Sequence, residues 1–291
     1  MKKHINLKSK NQVNELRVEV LVTTMNKSIS DMVLLAKKMK INSDAIIRSQ
    51  SSALDPIDKT IENGIYKLRL VISNDRGLSL NRNSLLDLSS ADLIIFADDD
   101  EIFMDNYKDK ILSDFSSPNT PDCIEYSVSR DYAKSIHFKD GNNTFLKSSS
   151  FGVWAVVIKR SVLLNKKIRF DNRIGSGAPI YCGEDSVFKK DLFKNKVIFF
   201  TSSFVLVHNE NRKVSSWYTG DDERVFLSRS IIYGMCHRYS YILYLIRMLF
   251  LKGGKNYTTL KKSIEAAKIG ITMRKYPEKQ FFWNNNKYEE K

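Results

Sequence analysis

From Val18 to Thr24 the chain reads VEVLVTT, a β-branched, apolar run with a turn after it, which predicts a buried strand. Between Ser28 and Lys40 the apolar residues Ile29, Met32, Val33, Leu35, Ala36 and Met39 fall at helical spacing. Ser28 or Ser30 is placed to cap that helix. Ala45 to Ile47 and Leu68 to Ile72 are two further short apolar runs, and Ser79 to Leu88 has a helical pattern. Leu93 to Ala97 (LIIFA) is another apolar run and ends directly in Asp98-Asp99-Asp100. Strand and helix thus alternate over the first hundred residues. This predicts an α/β fold, an open and mostly parallel sheet with helices on both faces. In such sheets ligands sit beyond the carboxyl ends of the strands. Thr23, Thr24, Ser49, Asn74, Asp75 and the three aspartates all follow apolar runs, so they are expected to line one crevice.

The second half is less regular. Cys123–Val128, Val153–Ile158, Val197–Phe200 and Phe204–Val207 read as strands, and Ser186–Phe193 as a helix. From Asp221 to Leu251 the pattern is helical, Gly253-Gly254 is a break, and Tyr257–Met273 reads as a last helix, basic on one side. These shifts divide the chain into a flexible basic tail (1–16), an α/β domain (17–215) with a first half, 17–103, and a second half, 104–215, and a helical C-terminal extension (216–291).

Composition changes the picture only where charge enters. The 291 residues are 42% hydrophobic and 27% charged, an ordinary globular balance. Net charge is +14, which favours an anionic partner: nucleic acid, an acidic membrane leaflet or a phosphorylated substrate. Cys123, Cys182 and Cys236 are far apart and form no CxxC pair, which argues against a disulfide framework or cysteine zinc site and for a reducing compartment. The polar start, with Lys2, Lys3, Lys8 and Lys10, lacks the apolar stretch of a signal peptide. His237, Arg238 and Arg247 interrupt the apolar region from Ile231 to Leu251, which excludes a transmembrane reading. The expected location is the cytoplasm, with peripheral attachment to the inner face of the plasma membrane as an extension of it.

Asp98-Asp99-Asp100-Glu101 is the sharpest chemical feature. Four consecutive carboxylates repel one another and resist burial. A divalent cation is their natural compensation, because hard cations prefer carboxylate oxygens. A solvated acidic turn capping a helix near Met104 is the alternative. Gly183-Glu184-Asp185 follows a glycine-containing loop and precedes a helix; a carboxylate there can act as a general base or simply serve the helix N-terminus. His208 ends an apolar run, and imidazole is a common metal ligand, although a lone histidine is more often structural. The sequence has no Walker A motif, GxGxxG, GxSxG or HExxH.

The order of these pieces resembles the family 2 glycosyltransferases, which have the GT-A fold. SNDRGLSLNRNSLLDLSSADLIIFADDDEIF, Ser73 to Phe103, is similar to that family's run from a nucleotide-binding loop through a helix into its DxD motif. Val18–Asn26 resembles the first strand and loop, GSGAPIYCGED (Gly175–Asp185) the glycine loop and xED motif, and Val207-His208 the C-terminal metal-binding histidine. The resemblance covers about Arg17 to His208, and implies that 17–215 is a GT-A catalytic domain with a nucleotide-sugar-binding half, 17–103, and an acceptor half, 104–215. It implies a metal-dependent, inverting transfer of a sugar from a nucleotide-diphosphate donor to an acceptor hydroxyl. Asp185 would be the catalytic base. Asp98, Asp100 and His208 would hold Mn²⁺ or Mg²⁺. Thr23, Thr24, Asn74, Asp75, Arg82, Asp98 and Asp99 would line the donor site, with Arg82 near the donor phosphates. Gly175, Gly177 and Glu184 would form the loop between donor sugar and acceptor. Two departures stand out. The first loop reads TTMN without the family's usual proline. RSQSS follows the second strand, where many members carry an aspartate that reads uracil. UDP is the expected nucleotide, with dTDP or GDP open.

YSYILYLIRMLFL, Tyr239 to Leu251, is apolar with basic flanks at His237, Arg238, Lys252 and Lys255. Such a helix can lie at a bilayer surface, pack against the catalytic domain or form a dimer. The expected acceptor is a glycan or lipid-linked glycan in surface polysaccharide (O-antigen or capsule) assembly, and no nucleic-acid partner is expected. A sugar nucleotidyltransferase and a non-enzymatic basic nucleic-acid-binding protein are the rival readings. The first should show a Gly-rich loop after its first strand, where this chain has TTMNKS. The second leaves the aspartates at the end of a buried strand without a job.

Overall fold

Leu93, Ile95 and Ala97 face one apolar cluster while Ile94 and Phe96 face another. This strand is therefore buried on both sides, as a central strand of a covered parallel sheet must be. The structure is a computed structural model that describes residues 16–116, 120–131, 134–142, 152–210, 222–237, 240–251, 256 and 258–290. Residues 1–15 of the basic tail and the Gly253-Gly254 break, as well as Arg238, Tyr239, Lys252, Lys255 and Tyr257, lie outside the described residues.

In chain order the first half contains β1 (Val18–Met25), α1 (Ile29–Lys38), β2 (Asp44–Gln50), β3 (Ile57–Asn63), β4 (Tyr66–Ser73), α2 (Leu78–Leu88), β5 (Leu93–Asp98), β6 (Glu101–Phe103) and α3 (Tyr107–Phe115). Next come β7 (Cys123–Arg130), β8 (Gly141–Asn142), β9 (Val156–Lys159), α4 (Arg160–Asn165), α5 (Glu184–Lys194) and β10 (Phe199–Asn209). The C-terminal part contains α6 (Glu223–Cys236), α7 (Tyr241–Leu251), α8 (Leu260–Lys275), β11 (Phe281–Asn284) and β12 (Lys287–Glu290).

The main sheet runs β3-β4-β2-β1-β5-β9-β7-β10-β6, with β8 paired to β10. β4, β2, β1 and β5 pair in parallel, as do β7 and β10, while β3, β9, β6 and β8 run against their neighbours. Helices α1 and α3 cover one face, and α2, α4 and α5 cover the other. This is the α/β architecture that the hydrophobic pattern predicts, with a parallel block β4-β2-β1-β5 inside a sheet that is mixed as a whole. Ser28 caps α1, in a capping box with Asp31.

Three differences have physical reasons. β2 reaches β4 through the antiparallel edge strand β3 instead of a helix; β3 is mostly exposed and polar, so no apolar pattern announces it. The two strands read at Val197–Phe200 and Phe204–Val207 are one strand, β10, whose register against β7 shifts twice. The C-terminus adds the β11–β12 hairpin to its helices.

Helices α6 and α8 approach until their backbones nearly touch. A Cβ on Gly234 would stand 1.9 Å from the Ala267 carbonyl oxygen, and one on Gly270 1.9 Å from that of Ile231. The two glycines are what permit this crossing. Ile231, Ile232 and Met235 of α6 share an apolar cluster with Ile174, Ile180 and Val187, so the C-terminal segment packs directly on the loop that leads into α5.

Candidate active site

Because β1, β2, β4 and β5 are parallel, Thr24, Gln50, Ser73 and Asp98 end on the same edge of the sheet. Thr23 stands in register between Arg48 on β2 and Asp98 on β5. Its hydroxyl donates to Asp98 Oδ1 at 3.1 Å, and the Thr24 hydroxyl donates to Asp99 Oδ2 at 2.5 Å. The first and fifth strands thus meet through side chains at the crevice, as their shared position predicts.

The acidic run is not a helix cap. β5 ends at Asp98, β6 begins at Glu101, and α3 starts only at Tyr107, where Asn106 makes no side-chain cap bond. Glu101 turns inward: it is 1% exposed and accepts from the Asp98 amide at 3.2 Å. Burial, then the charges of Asp98 and Asp100, raise its pKa well above the ordinary carboxylate value. Glu101 Oε2 and the side-chain oxygen of Asn209, its register partner on β10, are buried with no hydrogen-bond partner among the described residues.

Asp185 lies in the first turn of α5, whose N-cap is Gly183. Gly183 has φ 101°, and a Cβ there would meet Ile232 Cγ1 at 2.4 Å, so glycine is required both by the backbone and by α6. Glu184 and Asp185, in that first turn, also face a buried cation. Arg82, at 1% exposure, donates from Nη1 to Asp185 Oδ1 at 2.7 Å and from Nη2 to Asp98 Oδ1 at 3.2 Å, and its Nη1 is 3.5 Å from Glu184 Oε1. It lies over the Phe170 ring, 5.2 Å from the centroid, and Phe170 stacks on Phe188. Burial works against the guanidinium charge, but Asp185, Asp98, Glu184 and Glu101 outweigh it and raise the Arg82 pKa. The same burial raises the pKa of Asp185 despite Arg82, and pushes Glu184 up to about 7. Three carboxylates therefore share one guanidinium. The cluster has an excess of negative charge on the side of the crevice.

No family model matches the chain, and no curated protein matches it. Solved structures do. S. aureus TarS 1–349 in complex with UDP-GlcNAc superposes with a TM-score of 0.61 at 13% identity, covering 86% of this chain and 79% of that one. The same TarS 1–349 in complex with UDP gives 0.57 at 11% identity over 95% and 96% of the two chains. A longer S. aureus TarS chain gives 0.60 at 12% identity, over 94% of this chain and 60% of that one.

The chain has a GT-A-like glycosyltransferase fold.

Within that fold the remaining sequence candidates take distinct places. Asp75 is held at the end of β4 by Arg48 Nη2 at 2.6 Å, Gln50 Nε2 at 2.9 Å and the Ser73 hydroxyl at 2.9 Å. Burial opposes its charge, but these donors prevail and lower its pKa. Asn74 is exposed beside it. Arg82 lies beneath the carboxylates as their shared counter-ion. Gly175 and Gly177 both have positive φ, and a Cβ on Gly175 would crowd Ser79 Oγ at 3.1 Å and Glu184 Oε2 at 3.3 Å. This glycine loop is pinned from the C-terminal side. The Tyr181 amide donates to Ser228 Oγ at 3.3 Å, and Arg224 donates to the Pro179 carbonyl at 3.4 Å.

His208 is the penultimate residue of β10, in register with Ile102 of β6 and Ser129 of β7. Its Nδ1 is 3.1 Å from Ser129 Oγ and its Nε2 3.2 Å from Asp131. Among the described residues no group of three or more His, Cys, Asp or Glu side chains is arranged to hold a metal ion. Asp98, Asp100 and His208 are therefore not gathered into a closed cage. The donor set still fits a hard cation that arrives with its ligand, since Mg²⁺ takes one or two protein carboxylates and completes its shell with phosphates and water.

Sequence reasoning missed four parts of this arrangement: the inward turn of Glu101, the Arg48–Gln50 grip on Asp75, the Ser228–Arg224 clamp and a second buried ion pair, Lys189–Glu125, one turn along α5. Only the last left a trace, a lysine four residues after Asp185 on a face that had to be buried.

Proposed function

We propose that this protein is a glycosyltransferase that moves a sugar from a nucleotide diphosphate, UDP first among the candidates, onto an acceptor hydroxyl with inversion. The observation that carries this reading is the placement of Asp98 and Asp185 on one buried guanidinium at the carboxyl edge of a GT-A-like sheet. A donor carboxylate and a base are thereby held at fixed positions in one crevice. The binding of UDP-GlcNAc and UDP by S. aureus TarS supports the choice of nucleotide.

In this reading Thr23, Thr24, Asn74 and Asp75 line the nucleotide side, and Asp98 and Asp99 stand at the diphosphate. Asp98 and Asp100, with His208 on the neighbouring strand, are the residues that would hold Mn²⁺ or Mg²⁺. Such an ion, when bound, supplies positive charge to the diphosphate. Asp185 accepts the proton of the acceptor hydroxyl as that oxygen attacks the anomeric carbon from the face opposite the leaving group. Arg82 keeps the Asp185 carboxylate oriented and leaves it basic enough to take a proton, because burial raises its pKa. The loop 175–183 separates donor sugar from acceptor. The acceptor we assign is a glycan or a lipid-linked glycan of surface-polysaccharide assembly, on the strength of the sequence resemblance and the +14 charge.

A thermal-shift screen of nucleotide sugars and nucleoside diphosphates, with and without Mn²⁺ or Mg²⁺, tests this. A ligand that binds only the native state raises its melting temperature by mass action. The expected result is a metal-dependent shift with one nucleotide, lost in Asp100→Ala. No shift with any nucleotide in a folded sample contradicts the reading and moves the nucleic-acid-binding alternative ahead.

A further inference from the structure

Helix α7 is apolar apart from Arg247, yet only Leu245, Met248 and Leu249 of it are fully buried. Leu245, Met248 and Leu249 pack against Phe226 of α6 and Ala267 of α8. Opposite them, Leu243 is 69% exposed, Phe250 62% and Leu251 77%, with Ile242 and Ile246 at 45% and 42%. At 3.6 residues per turn Leu243, Ile246, Arg247 and Phe250 form one outward stripe. A water-facing helix normally carries polar residues there, and a contiguous apolar patch on a soluble surface marks an interaction site.

The charge beside this stripe selects the partner. On α8, Ile264 and Ala267 face α7, and Lys261, Lys268 and Lys275 are exposed at intervals of seven residues on the adjoining stripe. Arg247 is exposed within the apolar face itself. Glu265 is the exposed acid among these α8 lysines. An apolar face bordered by lysines matches an anionic lipid surface, where the acyl boundary receives the apolar side chains and the headgroups receive the ammonium groups. A second copy of the chain would bring an equally basic border and a net charge of +14 against the first. Among the described residues no helix is long and apolar enough to span a bilayer, so the match is to its surface.

We infer that the outward face of α7, with the lysine stripe of α8, docks this protein onto an anionic lipid bilayer. The surface is independent of the chemistry assigned to the crevice.

Flotation of the full chain with two kinds of vesicle tests it: phosphatidylcholine alone, and phosphatidylcholine with roughly one third phosphatidylglycerol. The chain should float with the anionic vesicles, and high salt should weaken the binding. Leu243→Ser with Phe250→Ser should reduce partitioning at least about tenfold. Both side chains are exposed, so an unchanged melting temperature confirms the fold of that variant. Lys261→Gln and Lys268→Gln should each cost about fivefold. Equal flotation of wild type and the Leu243→Ser/Phe250→Ser variant overturns the proposal, as does failure of the wild type to float with anionic vesicles. It is also overturned if sedimentation velocity shows a dimer that the same two substitutions dissolve while lipid binding persists.

Discussion

Two buried cations, Lys189 of α5 and Arg82 of α2, which meets α5 one turn earlier at Asp185, could hardly be employed more differently. Lys189, fully buried, faces Glu125, one charge against one. Arg82, equally buried, faces Asp98, Glu184 and Asp185. A balanced pair satisfies itself and asks for nothing further. The Arg82 cluster has more negative charge than its one guanidinium can neutralise, and its anions border a crevice. Folding alone gives no reason to gather such a set, since each extra buried carboxylate costs desolvation without a counter-charge. An excess of buried charge at the end of parallel strands is therefore the mark of a ligand site, and a neutral pair in the same helix is the mark of scaffolding.

The largest break in this comparison is expected at Asp185. Asp185→Asn keeps the shape but removes the base, so turnover should fall by about 10²–10⁴-fold, while UDP-dependent stabilisation in a thermal shift stays. Loss of donor binding together with turnover would make Asp185 a donor ligand or a structural residue instead. Next is Arg82→Met, which leaves buried carboxylates without their cation. Urea unfolding should show a loss of about 3–5 kcal/mol, and nucleotide binding should weaken with it. By contrast, Lys189→Met combined with Glu125→Leu removes both members of the neutral pair. Its stability should hold or rise by about 1–4 kcal/mol, and turnover should fall far less than in Asp185→Asn, because Lys189 reaches Asp185 only through its field, as one of the charges that lower the Asp185 pKa.

The smallest effect is a pH slope. Burial holds the Glu184 pKa at about 7, above its ordinary 4.5, so between those values the folded state binds more protons than the unfolded one. Glu184 therefore makes the protein lose stability as pH rises through that window. Glu184→Gln should flatten this fall in a melting-temperature profile. An unchanged profile would mean that Arg82 fully neutralises Glu184. His237 has the opposite sign: burial lowers its pKa to about 4, so it costs stability as pH falls below its ordinary 6.5.

The sheet was legible because a strand buried on both faces must be apolar throughout, as in LIIFA, and because aspartates directly after such a run have no packing role. The edge strand β3 was not legible, since an exposed strand such as Ile57–Asn63 carries polar residues that also suit a loop. The place of Arg82 was hidden for a different reason. Its partners Asp98 and Asp185 are 16 and 103 residues away, and only the tertiary fold shows that one guanidinium serves both. Gly234 and Gly270 drew no notice in the helical patterns, because only the folded chain brings the two helices into contact there.

Calorimetric titration of UDP in the presence and absence of Mn²⁺ tests most directly whether the charge-rich cluster is the ligand site. It should be run on the wild type, Asp98→Ala and the Lys189→Met/Glu125→Leu variant. Metal-dependent binding is expected in the wild type and in the double variant, and not in Asp98→Ala. Binding that survives Asp98→Ala undiminished, or that disappears only when the neutral pair is removed, would contradict the assignment of this crevice.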